Sequence, residues 1–314
     1  MTDQSELKKL MLQDFSYPLQ DDPHMQDIMY KKKEFNSYKI PDRPKMKKYE
    51  DIEDYRYNIC GRNFTLSEHQ QMLANFINPD TPYKGLLIMH GLGTGKTATA
   101  INIAEKFKDQ VMKYGTKIYV LVSGPNLKEN WKNEIIKSTG NTYLKYVDEN
   151  IYLSEQEKTT NKKDAVIKAM QFYRLISYRG FYKKVLGEKI VDFTVEKNNK
   201  KHVTYRKTEE GEFERETSTD RIFNLNNTLL IVDEAHNLTG NMYGDAVKEI
   251  IKNSTNLKIL LLSATPMKNL AHDLIYLVNL LRPINDQIDR DMIFTSDKNY
   301  DMAIKSDGIK YLRK

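Results

Sequence analysis

Apolar and polar residues form alternating blocks along this chain, which predicts strands separated by helices. Apolar runs typical of buried strands occur at residues 85–89, 117–122, 228–232 and 258–262. Apolar residues with helical spacing predict helices at residues 67–76, 96–115 and 127–137. Because strands joined by helical connections are parallel, this order predicts an α/β fold with a central parallel sheet and helices on both faces.

Three other regions have weaker patterns. Residues 1–62 combine basic clusters with several prolines, which predicts an N-terminal extension with short helices. Residues from about 140 to 226 are expected to form an irregular insert, in which residues 191–195 and 202–205 alternate around an Asn-Asn pair and predict a β-hairpin. Residues 285–314 are polar and predict no particular element.

The composition is that of a globular chain and excludes several classes of protein. Apolar residues make up 39% of the 314 residues, and no apolar run approaches the ~20 residues of a membrane span. We therefore expect a soluble protein of the cytoplasm. The single cysteine, Cys60, excludes an internal disulfide framework and a cysteine-type zinc site. The net charge of +6 permits contact with nucleic acid but does not indicate it by itself.

A glycine-rich segment that ends in Lys96-Thr97 follows the first predicted strand. A backbone that wraps a polyphosphate directs several N–H groups inward, which requires conformations and close approaches that glycine permits. Lys96 would neutralise the β and γ oxygens, and Thr97 would hold Mg²⁺. The first glycine stands one position later than in the usual pattern, and a glycine-rich turn without a ligand is the alternative. The expected nucleotide-binding residues are Gly91, Gly93, Thr94, Gly95, Lys96 and Thr97.

Two adjacent acids follow the predicted strand at residues 228–232. Ligands of open α/β sheets bind at the carboxyl ends of the strands, so Asp233 is placed to hold the metal and Glu234 to polarise the attacking water. An acidic cap of a helix is the alternative. The next strand ends in small hydroxyl residues, of which Ser263 and Thr265 are candidates to bond the acids or His236, and an ordinary turn is the alternative.

Three segments of the chain resemble, in the same order, motifs I, II and III of superfamily 2 helicases and translocases. They are Gly93 to Thr97, Asp233-Glu234-Ala235-His236, which resembles a DEAH box, and Ser263-Ala264-Thr265. The resemblance implies a RecA-like P-loop lobe that uses ATP and Mg²⁺ and hydrolyses ATP in response to nucleic acid. It implies a catalytic set of Lys96, Asp233, Glu234 and His236, and a coupling set of Ser263, Ala264 and Thr265.

Further segments resemble the Swi2/Snf2-like branch, and within it the NTPases of large DNA viruses of the poxvirus early transcription factor and nucleoside triphosphate phosphohydrolase I type. Gln70 stands where that superfamily has an adenine-reading glutamine, although it could also be a surface residue of a helix. The resemblance implies nucleic-acid backbone contacts at Ser123, Pro125, Asn126, Lys128 and Ser177. Trp131 is expected to be a core residue. Viral RNA polymerase or transcription factor subunits are the implied protein partners, in the host cytoplasm or the virion.

One departure concerns the second lobe, which in this superfamily supplies further motifs and an arginine finger. No such lobe is recognisable after residue 283, so we expect either a fragment or a single-lobe relative, in which hydrolysis is slower by roughly 10³ to 10⁵. The expected domains are an extension (1–62), a RecA-like lobe (63–284) with the insert, and a polar segment (285–314) that leads to a missing or absent second lobe.

Two alternative functions stay open at this point. A P-loop kinase or GTPase is disfavoured by the residues that follow the acids and by Ser263-Ala264-Thr265. A subunit of a transcription complex that binds nucleotide without hydrolysing it is favoured by the missing second lobe.

Overall fold

The centre of the structure, a computed structural model, is a five-stranded parallel sheet. The structure describes residues 17–20, 22–39, 46–60, 66–91, 93–140, 142–145, 154–186, 193–197, 200–204, 221–267 and 272–294. The strands are β1 (Gly85–Met89), β2 (Ile118–Val122), β3 (Tyr173–Ser177), β4 (Phe193–Lys197), β5 (Lys200–Thr204), β6 (Thr228–Asp233) and β7 (Leu257–Ser263). The order across the sheet is β1-β7-β6-β2-β3, and β4 and β5 form a separate hairpin.

Helices connect these strands. Among the described residues they are α1 (Met25–Lys31), α2 (Lys33–Asn36), α3 (Tyr49–Cys60), α4 (Glu68–Phe76), α5 (Lys96–Glu105), α6 (Lys108–Tyr114), α7 (Pro125–Ser138), α8 (Glu155–Ala169), α9 (Tyr178–Leu186), α10 (Met242–Asn253), α11 (Asp273–Leu281) and α12 (Arg290–Ile293), with a 3₁₀ turn at Ala235–Leu238. The predicted helix at residues 96–115 is two helices, because the chain turns at Lys106 and the buried Phe107. None of the helices in the described residues has both the length and the apolar content to cross a membrane.

Two apolar layers enclose the sheet. Side chains alternate along each strand, so Leu229 and Ile231 of β6 pack with α5, α7 and α8, whereas Leu230 and Val232 pack with α9, α10 and α11. All six residues of β6 are buried, as is usual for a central strand of a parallel sheet. The predicted RecA-like α/β fold, a parallel sheet between helical layers, is confirmed.

The prediction of an irregular region from about 140 to 226 is wrong for a large part of it. Residues 154–186 form α8, β3 and α9, and β3 pairs with β2 as the edge strand of the main sheet. An edge strand has only one neighbour and tolerates polar residues such as Arg174, which interrupts the apolar run that would have predicted it. The predicted hairpin is confirmed as β4 and β5, while the Asn-Asn pair lies outside the described residues.

The short helices expected in residues 1–62 are present as α1, α2 and α3. Part of this region packs on the lobe: Met29 and Phe35 are buried, and the Tyr83 hydroxyl donates to the Pro18 carbonyl at 3.0 Å. These contacts join part of the N-terminal segment to the main core, and the domain boundary expected at residue 62 stays a prediction. The side chain of Cys60 lies outside the described part of the structure.

Candidate nucleotide site

The loop between β1 and α5 requires glycine at two positions. Gly93 and Gly95 have φ values of +77° and +81°, in the left-handed region that side chains disfavour. A Cβ on Gly95 would also lie 2.7 Å from Nε2 of Gln70, whereas a Cβ on Gly91 would lie no closer than 3.8 Å to Thr94. The loop therefore depends on Gly93 and Gly95 for its conformation, and less on Gly91.

We predict that Gly95→Ala destabilises the fold by about 1–2 kcal/mol, the cost of a left-handed non-glycine residue, and weakens nucleotide binding. Gly91→Ala is the matched control, with an expected change within about 0.5 kcal/mol. Urea unfolding of both variants measures this difference. Equal losses in the two variants would contradict the conformational argument.

Lys96 and Thr97 are the first two residues of α5 and directly follow the glycine loop. The Lys96 ammonium group donates to the carbonyl oxygen of His90 at 3.2 Å, and the Thr94 hydroxyl donates to the carbonyl oxygen of Gly91 at 2.7 Å. Both bonds link the end of the loop to carbonyl oxygens at its start and so stabilise its conformation. Because α5 starts here, its free N–H groups and the positive end of its dipole face the same space as the Lys96 side chain.

Gln70 connects α4 to this loop through a hydrogen bond of its side chain. Its side chain is buried; Oε1 accepts from the Ser67 N–H at 3.0 Å, and Nε2 donates to the Gly95 carbonyl at 3.2 Å. The Asn102 amide donates to the Gln70 carbonyl at 3.1 Å, which joins α4 to α5. The alternative that Gln70 is only a surface residue is therefore wrong.

Asp233 ends β6 with a side chain that is almost fully buried. The indole N–H of Trp131 donates to its Oδ2 at 2.8 Å. Burial raises the pKa of Asp233 above its ordinary value and the Glu234 carboxylate adds to this, while the hydrogen bond from Trp131 and the charge of Lys96 act in the opposite direction. The residue thus combines a fixed orientation with low solvation.

Glu234 has a left-handed backbone, with φ +55° and ψ +53°. This conformation costs a non-glycine residue ~1–2 kcal/mol, so the surroundings must hold it. The buried hydroxyl of Tyr178 donates to the carbonyl oxygen of Asp233 at 2.5 Å and lies 3.3 Å from that of Glu234. The turn directs the Glu234 side chain, which is about one third exposed, towards the open space at the strand ends.

His236 joins the segment after β6 to the end of β7. Its Nδ1 lies 3.0 Å from the Ser263 hydroxyl and 3.4 Å from a Glu234 carboxylate oxygen. The Ser263 oxygen also accepts from the Thr265 N–H at 3.2 Å, while the Thr265 side chain is exposed and Ala264 is half-buried. The contact that the sequence suggested between the hydroxyl residues and His236 is therefore present at Ser263.

A cavity of about 430 Å³ lies at the carboxyl ends of the strands, where these groups meet. Thr97 and Asp233 both line it, and a hydroxyl and a carboxylate are suitable ligands for Mg²⁺. The lining residues are Gly91, Gly93, Gly95, Lys96, Thr97, Ala98, Leu127, Asn130, Trp131, Glu134, Asp233 and Glu234. A second cavity of about 490 Å³ lies at the other ends of β1 and β7 and includes none of the predicted site residues.

The family model described as "Type III restriction enzyme, res subunit" matches residues 63–268 of this chain. The chain belongs to this family. The match begins just before α4 and ends just after β7, so it contains every strand of the central sheet and every motif quoted above.

Several viral proteins are similar in sequence to this chain. Two proteins of Acanthamoeba polyphaga mimivirus, named "Putative ATP-dependent RNA helicase" L377 and R563, are 54% and 30% identical over 99% and 85% of this chain. The early transcription factor 70 kDa subunit of Yaba monkey tumor virus is 23% identical over 73% of it. The chain covers only 27%, 39% and 28% of these proteins. The recognition of a helicase-type N-terminal lobe related to viral NTPases is confirmed.

The residues expected to contact nucleic acid do not all lie at the surface. Ser123 follows β2, and α7 begins there with Pro125 and the exposed Asn126; Lys128 is half-buried. Ser177 is buried, and its oxygen accepts the Gly180 N–H at 3.2 Å. The Ser177 hydroxyl thus stabilises the first turn of α9, and its expected contact with nucleic acid stays a prediction.

The sequence interpretation missed the site contacts of two residues, Trp131 and Tyr178. Trp131 is a core residue, as expected, but its indole also binds Asp233; Tyr178 supports the strained turn at Glu234. A buried indole N–H needs an acceptor, so the position of Trp131 in a helix beside the nucleotide loop was a usable signal. Nothing in the local pattern indicates the partner of Tyr178.

Proposed function

We propose that this chain is the ATP-binding lobe of a nucleic-acid-dependent ATPase of the superfamily 2 helicase or translocase type, with a DEAH-type motif II, and that it hydrolyses ATP to ADP and phosphate. The observation that carries the proposal is the cavity at the strand ends, which brings together the glycine loop, Lys96, Thr97, Asp233 and Glu234. The names of the mimivirus relatives agree with it.

Each group in the cavity has a role in this proposal. The loop N–H groups and Lys96 bind the phosphates, Thr97 and Asp233 hold Mg²⁺, and Glu234 orients the attacking water. Mg²⁺ would supply charge neutralisation at the phosphate oxygens. His236, held between Glu234 and Ser263, links the acids to the end of β7 and so to the coupling segment Ala264-Thr265.

Gln70 is proposed to read the adenine base. Its amide already binds Ser67 and Gly95, yet a glutamine amide has two donor hydrogens and two acceptor lone pairs. It can therefore bond the edge of a base while it still holds the loop. Competition binding of ATP and GTP tests this role and separates an ATPase from a GTPase: we expect a clear preference for ATP, reduced in Gln70→Ala.

Nucleic acid is proposed to bind at the start of α7, through Ser123, Pro125, Asn126 and Lys128. Contacts of this kind are made to the backbone and carry little sequence information. A strand held here lies beside the nucleotide cavity, because α7 also lines that cavity. Binding of the strand and closure around ATP would thus be coupled through one helix.

We predict that Lys128→Ala weakens binding to oligonucleotides of different sequences by a similar factor and reduces the salt slope of log K by about 1. Lys132→Ala is the control, because Lys132 lies one turn further along α7 and pairs with Glu129 at 2.5 Å. Fluorescence anisotropy at several salt concentrations measures both. A loss confined to one sequence, or an equal loss in Lys132→Ala, would contradict the proposed contact.

A second candidate is a nucleotide-binding subunit of a transcription complex that does not turn over by itself. The similarity to a protein named early transcription factor 70 kDa subunit favours it. Its proposed partners are subunits of a viral RNA polymerase or transcription factor, in the host cytoplasm or the virion. ATP binding without hydrolysis in the presence of nucleic acid is the result that supports this candidate over the first.

A further inference from the structure

Trp131 is the only tryptophan in the 314-residue chain, and it is 2% exposed. Its ring packs in the apolar layer on the α7 side of the sheet, while its N–H donates to Oδ2 of Asp233 at 2.8 Å. A hydrogen bond from a neutral donor to a buried carboxylate is stronger than one between two neutral groups. The ring position therefore fixes one oxygen of the carboxylate that lines the nucleotide cavity.

Helix α7 connects this bond to the proposed strand contact. Residues on one face of the helix, Leu127, Asn130, Trp131 and Glu134, line the nucleotide cavity. The helix begins at Pro125, six positions before Trp131, which corresponds to a rise of about 9 Å. Successive turns of the helix are joined by backbone hydrogen bonds, so we expect a shift of its first turn to displace the indole as well.

We propose that Trp131 is a positioning residue: it orients the Asp233 carboxylate for Mg²⁺ and transmits movements of α7, produced by a bound strand, to that carboxylate. The proposal rests on the proposed function of this site. It adds a regulatory link through one hydrogen bond between residues 102 positions apart in sequence. The competing interpretation is that Trp131 only fills the core.

The test uses Trp131→Phe in the 314-residue chain, which keeps an aromatic ring but removes the N–H donor. Fluorescence anisotropy of an ADP labelled with a fluorophore is followed as Mg²⁺ is titrated. We expect the variant to need about tenfold more Mg²⁺ for half-maximal binding, because it lacks the hydrogen bond that orients the Asp233 carboxylate. Affinity for the nucleotide without Mg²⁺ should change less than twofold.

Tyr143→Phe is the matched control for lost stability. The Tyr143 hydroxyl also donates to a carboxylate, Glu105, at 2.9 Å, in the same apolar layer but away from the cavity lining. Both variants lose one buried bond to an acid, so both should lower the unfolding midpoint. Only Trp131→Phe should change the Mg²⁺ dependence. The same change in both variants would overturn the proposal.

A second arm tests the transmission. In the wild-type chain, a bound oligonucleotide should lower the Mg²⁺ concentration for half-maximal ADP binding, and in Trp131→Phe this effect should be lost. If wild type shows no Mg²⁺-dependent nucleotide binding, the proposed function itself fails. If wild type binds as expected and Trp131→Phe keeps both the Mg²⁺ dependence and the oligonucleotide effect, the role of Trp131 is overturned while the proposed function stands.

The indole also provides a direct readout, because all tryptophan emission of the chain comes from one residue beside the cavity. Addition of Mg²⁺ and ADP to the wild-type chain should change the intensity or wavelength of this emission over the Mg²⁺ range found by anisotropy. Emission that stays constant while ADP binds would overturn the proposal.

Discussion

Lys96→Ala is expected to weaken ATP binding by about 10- to 100-fold. The variant removes the ammonium group that lies in the nucleotide cavity and donates to the His90 carbonyl. A hydrogen bond that involves a charged group contributes ~1.5–3 kcal/mol, and the loss of one such bond to phosphate corresponds to this factor. Equilibrium binding of a labelled ATP measures the change.

Lys108→Ala is the matched control for Lys96→Ala. Lys108 begins α6, pairs with Glu105 at 2.9 Å and is not among the residues that line the nucleotide cavity. Its removal takes away the same charge but should alter ATP affinity less than twofold. Similar losses in the two variants would mean that net charge, rather than the position of Lys96, determines binding.

Glu234→Gln is expected to reduce the rate of ATP hydrolysis by about 10²- to 10⁴-fold, the usual contribution of a positioned general base. Affinity for ATP should stay within about threefold, since glutamine has nearly the same size and the left-handed turn at this position is supported through backbone carbonyls by Tyr178. Single-turnover release of phosphate in the presence of nucleic acid, with ATP binding measured in parallel, separates the two effects.

Glu249→Gln serves as the control for this variant. Glu249 lies on α10 and accepts from the Asn253 amide at 2.7 Å, outside the cavity. It should leave both hydrolysis and binding unchanged. A parallel loss of hydrolysis and binding in Glu234→Gln would indicate that the residue maintains the structure of the turn and does not act on the water.

The sequence predicted the parts of this fold whose signals are local. Strands β6 and β7 are central and buried on both faces, so each appears as an almost continuous apolar run. The loop residues Gly93 and Gly95 were predictable because their backbone conformations admit few other residues. The position of Asp233 and Glu234 beside the cavity was predictable, because Asp233 is the last residue of such a strand and Glu234 directly follows its carboxyl end.

Features that depend on contacts between distant residues were not predictable in this way. The strand β3 is short and contains Arg174, and only its pairing with β2 makes it part of the sheet. The bonds of Asp233 with Trp131 and of Asp233 with Tyr178 span 102 and 55 positions. Hydrophobic periodicity describes a helix or strand by itself, and it does not specify which remote side chain will meet an acid.

The measurement that most directly tests the central claim is ATP hydrolysis by the 314-residue chain, alone and with single- or double-stranded DNA or RNA. Our account predicts turnover that rises with at least one of these polymers and is lost in both Lys96→Ala and Glu234→Gln. Turnover that is independent of every polymer, or that persists in the two variants, would contradict the assignment of this cavity to a nucleic-acid-dependent ATPase.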